Sequence, residues 1–201
     1  MKKKFAVMAI AGAALCMAAM PACAAEDLIT VGYAQVGHES DWRTANTQNY
    51  QDVFSEEAGY SLDLVDCDND NAAQLEAVRT FINKEMDYII IAPIQSAGWD
   101  TVLQEAQDAG IPVIIADREI EADASLYDAW VGTNTKNEGI TAGNWLAEYL
   151  GDKDANILVI EGSVGASATI GRTDGFNEVA KDHENWKILD SQSGDFTQAG
   201  G

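Results

Sequence analysis

The sequence predicts an α/β fold with doubly wound parallel sheets, and three observations predict it. Short β-rich runs alternate with amphipathic stretches at helical spacing. The strand-like runs are short and apolar throughout, as in "YIIIA" at 88–92 and "VIIA" at 113–116, a pattern suited to strands covered on both faces. Most such runs are followed by a helical pattern, and these repeated βα units imply strands joined by crossovers and lying parallel.

The elements follow in order. A strand is predicted over 28–34. A helix over 42–58 carries Trp42, Ala45, Asn49, Tyr50, Val53 and Phe54 at helical intervals. A strand over 61–65 alternates. The helix over 71–84 places Leu75, Val78 and Ile82 on one face, with Asn71 as its cap and Gln74 three residues on, near a capping box. Strands over 88–92 and 113–116 flank a helix over 99–109 that Gly110 ends. A strand over 127–132 precedes a helix that opens on Thr135-x-x-Glu138 and runs to 150. A strand over 156–160, a helix over 170–182 and a strand over 187–191 complete the pattern.

The first residues are a different material. Lys2, Lys3 and Lys4 precede an apolar Ala- and Met-rich run over 5–20, and "PACAA" follows with Ala22 and Ala24 in small-x-small spacing. This is the pattern of a secretory signal peptide over residues 1–24. The apolar run of about 16 residues falls short of the ~20 that span a bilayer. "MPAC" matches a lipid-attachment signal at Cys23 poorly. Export is therefore expected to remove residues 1–24, with Ala25 at or next to the new amino terminus.

The chain has 33 acidic and 12 basic residues; without the three leader lysines its formal charge is −24. Such a surface repels phosphate backbones and anionic lipid, which argues against nucleic-acid binding. Two of three cysteines lie in the leader, so Cys67 has no internal disulfide partner.

Doubly wound sheets bind ligands at the carboxyl ends of their strands. Three strand exits each offer an arginine: Arg43 in "GHESDWR", Arg118 after Asp117, and Arg172 at the end of "GSVGASATIGR". Arginine presents a rigid fork of donors, and Asp117 would accept from hydroxyls and steady the fork beside it. Trp42 supplies either a flat face for a sugar ring or ordinary first-turn packing. The chemistry suits a polyhydroxylated ligand. His38 stands in the same loop, either as a ligand contact or as an exposed histidine.

Other motifs fail. "DCDND" at 66–70 begins like a calcium loop, but Asn71 stands where glycine is required and Ala77 at the twelfth position. "EGSVGAS" lacks the Gly-Lys-Ser/Thr of a phosphate loop. No Cys or His pair has metal-ligand spacing, and there is no nucleophile elbow. No metal, cofactor or catalytic residue is expected.

The stretches "VGYAQVGHESDWR", "IIIAPIQSAGWDTVLQEAQDAGIPVIIADR", "GSVGASATIGRTDGF" and "SQSGDFT" resemble, in order and spacing, the type I periplasmic sugar-binding proteins of the ribose-binding class. Within that class they are most similar to the galactofuranose-binding proteins of sugar ABC transporters. The resemblance runs from about Ile29 to Thr197. It implies a two-lobed fold, with a first lobe over 25–133 and a second beginning at 134, hinged near 132–134. It implies Glu39, Ser40, Asp41, Trp42 and Arg43 on the first ligand segment, Asp117 and Arg118 on the second, and Arg172 on the third. It departs at Asp41, where the most similar members carry glycine, and at Gly171, where an acidic residue is usual.

Members run to about 300 residues, so the resemblance also implies that the chain is truncated: the second lobe, over 134–201, is partial and the returning segment of the first is absent. Half a lobe should leave apolar faces and a sheet edge uncovered. The implied function is extracytoplasmic capture of a monosaccharide, galactofuranose or related, by a periplasmic monomer that delivers it to a membrane permease. Rival functions are a sugar-sensing regulator, a chemoreceptor component or a glycosidase. The leader, the charge, the lack of a helix-turn-helix and the lack of a placed carboxylate pair weigh against the regulator and the glycosidase.

Overall fold

The structure is a computed structural model that describes residues 28–201. The leader and the expected cleavage point lie outside the described residues.

Five parallel strands form the first sheet: β1 (Ile29–Gln35), β2 (Tyr60–Asp66), β3 (Tyr88–Ile91), β4 (Val113–Asp117) and β5 (Ala129–Gly132), in spatial order β2-β1-β3-β4-β5. The helices between them are α1 (Asp41–Val53), α2 (Asn71–Asn83) and α3 (Asp100–Asp108). From β1 the chain steps outward to β2, then crosses back to β3 and continues the other way. The switch point therefore falls between β1 and β3, where the strand exits diverge and leave a crevice.

The pleat sorts the core onto two faces. Gly32 presents no side chain, and the Phe81 ring of α2 fills the space a Cβ would occupy. Tyr33, on the opposite face, stacks on Tyr50 of α1 with ring centroids 4.1 Å apart. Ile89, Ile91, Ile115, Phe81, Trp99 and Leu103 are fully enclosed between sheet and helices. Gln74 is the polar exception. It is buried and ties strand exits together, donating to the carbonyls of Ala34 (3.1 Å) and Ala92 (2.7 Å) and accepting from the Ile94 amide (2.9 Å). The Ala92 carbonyl and the Ile94 amide thus have partners, and the Ala34 carbonyl, which also accepts from the Ala92 amide at 3.1 Å, gains a second donor.

Two local expectations are corrected. Asp70, not Asn71, caps α2: its Oδ1 accepts from the amides of Ala72 (2.8 Å) and Ala73 (3.2 Å). Gln74 is used in the core and not in a capping box. The first helix, expected to reach 58, ends at Val53, and a 3-10 turn over Glu56–Ala58 leads to Gly59 at φ 90°.

Beyond β5, Asn134 caps α4 (Thr135–Leu150) through its side chain and the Asn137 amide at 3.0 Å. A second sheet pairs β6 (Ala155–Glu161) with β7 (Trp186–Ser193) in parallel, joined by α5 (Ser167–Ala180). Helices α4 and α5 lie almost backbone to backbone. A side chain at Gly139 would overlap the Arg172 carbonyl, and one at Gly175 would overlap that of Lys136. One face of this sheet is bare: Leu158, Ile160 and Leu189 are 71%, 66% and 60% exposed. Among the described residues, β6 is paired on one edge alone.

Candidate functional site

The exit of β1 sets the first part of the site. Ser40 is extended (φ −149°) and caps α1, its hydroxyl accepting from the Arg43 amide at 3.2 Å. The cap orients the first turn, so adjacent residues point about 100° apart. Asp41 and Trp42 face outward, Trp42 at 59% exposed, and Arg43 faces inward at 2% exposed. Trp42 is therefore no core residue.

The Arg43 guanidinium is held on every side. Nη2 donates to Asp117 Oδ2 at 2.7 Å, Nε to Glu39 Oε1 at 3.2 Å, and Nη1 to Asn46 Oδ1 at 3.5 Å. Its Cζ lies 4.9 Å from the Trp42 ring centroid, a cation–π distance. Glu39 Oε1 also faces Arg118 Nη2 at 3.6 Å, while Glu39 Oε2 is buried and has no partner.

The exit of β4 sets the second part. Asp117 is in the left-handed region at φ 66°, uncommon for a residue with a Cβ and concentrated at functional sites. It pairs in register with Gly132 of β5, and a side chain at 132 would overlap the Asp117 carbonyl. Arg118 is 5% exposed, with Nη1 at 3.4 Å from the carbonyls of both Pro93 and Ile94. Burial lowers its pKa from the ordinary arginine value, and Arg43 adds to that; Asp117 and Glu39 oppose it.

The third part comes from the second sheet. Arg172 on α5 donates from Nε to Glu138 Oε2 on α4 at 2.8 Å. The residue that links it to the rest is Phe196, just past β7. Its ring centroid lies 4.9 Å from Arg118 Cζ and 6.0 Å from Arg172 Cζ. Asp195 and Phe196 are both left-handed, at φ 52° and 57°, and the ring occupies the space left by Gly162. Phe196 was not among the residues the sequence singled out. The signal available was "SGDF" at a strand exit, in the position that yields Asp117-Arg118.

The structure thus gathers Glu39, Arg43, Asp117 and Arg118 in one connected cluster and sets Arg172 across Phe196 from it. His38 turns away and pairs with Asp66, which raises its pKa from the ordinary imidazole value. A cavity of about 660 Å³ lies between α4, α5 and the second sheet, against Val159, Phe176 and Ile188, and Glu138, Arg172 and Phe196 of the third part line it as well. Its walls are mostly apolar apart from the Arg172–Glu138 pair and a few hydroxyls and amides, and the denser set of donors and acceptors is the cluster of Glu39, Arg43, Asp117 and Arg118. No group of three or more His, Cys, Asp or Glu side chains among the described residues could hold a metal ion.

A family model described as periplasmic binding protein domain matches residues 31–200. The chain belongs to that family. It is 43% identical over 185 residues to the galactofuranose-binding protein YtfQ of Escherichia coli K12, spanning 92% of this chain and 58% of that one. A solved structure from Mycobacterium smegmatis in complex with β-D-fucofuranose is 42% identical at a TM-score of 0.81, covering 86% of this chain and 57% of that one. The binding protein of the arabinose ABC transporter from Shewanella sp. ANA-3, bound to α- and β-L-arabinofuranose, is 40% identical at a TM-score of 0.79, covering 85% and 56%. The fold is that of the type I periplasmic binding proteins. The chain spans between half and two thirds of the length of these relatives.

Proposed function

We propose that the protein captures a neutral furanose, galactofuranose or a close relative, outside the cytoplasm and passes it to the permease of an ABC transporter. The observation that carries this is charge balance at the strand exits. The guanidinium groups of Arg43, Arg118 and Arg172 are matched by the carboxylates of Glu39, Asp117 and Glu138. A balanced site offers an uncharged polyol both donors and acceptors, and gives no surplus charge to a phosphate or a uronate.

Each side chain has a role in this reading. Glu39 Oε2, buried and unpartnered, and the carboxylate of Asp117 accept from sugar hydroxyls. Arg43, Arg118 and Arg172 donate, and Trp42 and Phe196 offer ring faces to the C–H face of the sugar. Ser40 and Asp41 lie on the same segment. Residues 25–133 form one lobe and 134–201 part of a second, and the lobes close by bending near 132–134. The leader is removed on export to the periplasm, and the protein acts as a monomer. No bond is made or broken. The relatives' names support this reading by the sugars they bind.

The test is titration calorimetry against galactofuranose, arabinofuranose, ribose and galacturonate, with each sugar recovered and analysed afterwards. A furanose should bind and be recovered unchanged, and galacturonate should not compete. Tight galacturonate binding or turnover of any sugar would overturn the reading. Arg118→Ala should weaken furanose binding by roughly 2–4 kcal/mol, because hydroxyls buried against it lose a charged donor.

A further inference from the structure

The loop after β3 and the loop after β6 meet at one main-chain hydrogen bond. The Ser96 amide, in the first unit, donates to the Gly165 carbonyl, in the second, at 2.9 Å. Both ends are fixed within their own units. Ser96 is 5% exposed; its hydroxyl donates to Glu121 Oε1 at 2.8 Å, and its carbonyl accepts from the Glu121 amide at 2.8 Å. That leaves its amide as the polar group facing outward from the unit. The preceding carbonyl, of Gln95, accepts from the indole of the fully buried Trp99 at 2.8 Å.

On the opposite side, Gly165 lies at φ 80°, a conformation that glycine takes without strain. Its loop is pinned where Ser163 accepts from the Thr169 hydroxyl at 2.8 Å. Ala166, next in sequence, is fully buried. The Gln95 side chain lies beside Gly165: a Cβ there would be 3.6 Å from Gln95 Cγ.

We infer that the Ser96–Gly165 hydrogen bond is a closing latch: two rigid loops that touch through one backbone bond when the units meet, and set how far the protein is closed before any sugar arrives. It rests on the reading that the two units close as lobes. Glu121 aims the donor and the left-handed Gly165 aims the acceptor, so both residues tune closure without a place in the cluster of acids and arginines. The donor side is shielded from water, since Ser96 is buried, and the acceptor Gly165 is partly exposed between buried Ser163 and Ala166.

The experiment is amide hydrogen exchange resolved by NMR on the sugar-free full chain, for the parent, Gly165→Val and Glu121→Ala, with small-angle X-ray scattering on each. In the parent the Ser96 amide should be protected. Each variant should speed its exchange by about five- to tenfold, the factor that one hydrogen bond's net contribution corresponds to, and should raise the radius of gyration. The amides of Ile90 and Ile91 should not change. A fast-exchanging Ser96 amide in the parent, or unchanged Ser96 exchange in a folded Glu121→Ala, overturns the latch. If Gly165→Val also speeds Ile90 and Ile91 it has unfolded, and Glu121→Ala alone decides. Adding arabinofuranose separates the two readings: a latch confirmed without sugar but indifferent to every furanose counts against the proposed function and not against the latch.

Discussion

Arg43 Nη2 sits 2.7 Å from Asp117 Oδ2, joining the exit of β1 to the exit of β4 across 74 residues of sequence. The pair closes over the switch point of the sheet, and the guanidinium is 2% exposed.

Removing that guanidinium should be costly in the absence of sugar. Arg43→Met leaves Glu39 and Asp117 with Arg118 as their one remaining countercharge in the cluster, and since Asp117 is 29% exposed the cost should fall toward the lower end of the about 3–5 kcal/mol for breaking a buried pair from one side. Urea unfolding followed by circular dichroism should show the loss. A change below about 1 kcal/mol would mean that water reaches the cluster more freely than its burial indicates.

Trp42 should behave in the opposite way. At 59% exposed it contributes little to the apo fold beyond its contact with Arg43. Trp42→Ala is expected to cost less than about 1 kcal/mol, far from the ~3–5 kcal/mol of a buried aromatic. Thermal melts of the sugar-free protein measure this. If the fluorescence response to sugar persists in the mutant and stability collapses, Trp42 is a packing residue in solution.

Cys67 should be chemically silent until the protein unfolds. It is 2% exposed, and its thiol is pushed up to about 12, mainly by burial and then by Asp66 and Asp70. The thiolate is the reactive form. A disulfide reagent at pH 8 should react slowly with the native chain and at once in urea. The sign for stability follows. The folded state holds this proton more tightly than the unfolded state, whose thiol titrates near ~8.5. The resulting stabilisation is complete below that value and disappears as pH rises through about 12. A native thiol that reacts as fast as the unfolded one would refute the assignment.

The strands and helices of the first sheet were legible because period and chemistry agree: "YIIIA" can be covered on both faces and little else. The strand-exit loops were legible as places, since strand exits follow from the topology, and Arg118 was legible as a scarce cation beside a carboxylate. What the sequence did not display was direction. Trp42 and Arg43 are adjacent letters, and which one turns inward depends on the Ser40 cap. Phe196 was missed because an isolated aromatic after a strand reads as surface until its left-handed backbone is seen. Asp70 and Asn71 are both good caps, and the Ala72 and Ala73 amides decide between them. Gln74 resembled a capping partner because its three bonds to strand exits come from residues 18 to 40 positions away.

Asp117 and Gly132 lie side by side, with no room between the Asp117 carbonyl and a Cβ at 132. The residue that presents the carboxylate therefore rests on the last strand residue before the chain leaves the first sheet. If the lobes bend at this crossing as proposed, fulcrum and grip share a bearing, and torque on the crossing segment is felt by the carboxylate with no relay between them. Position 132 is not one of the proposed ligand contacts, yet a library selected for a new sugar should recover almost nothing but glycine there, because any side chain would shift the carboxylate and jam the proposed bend together.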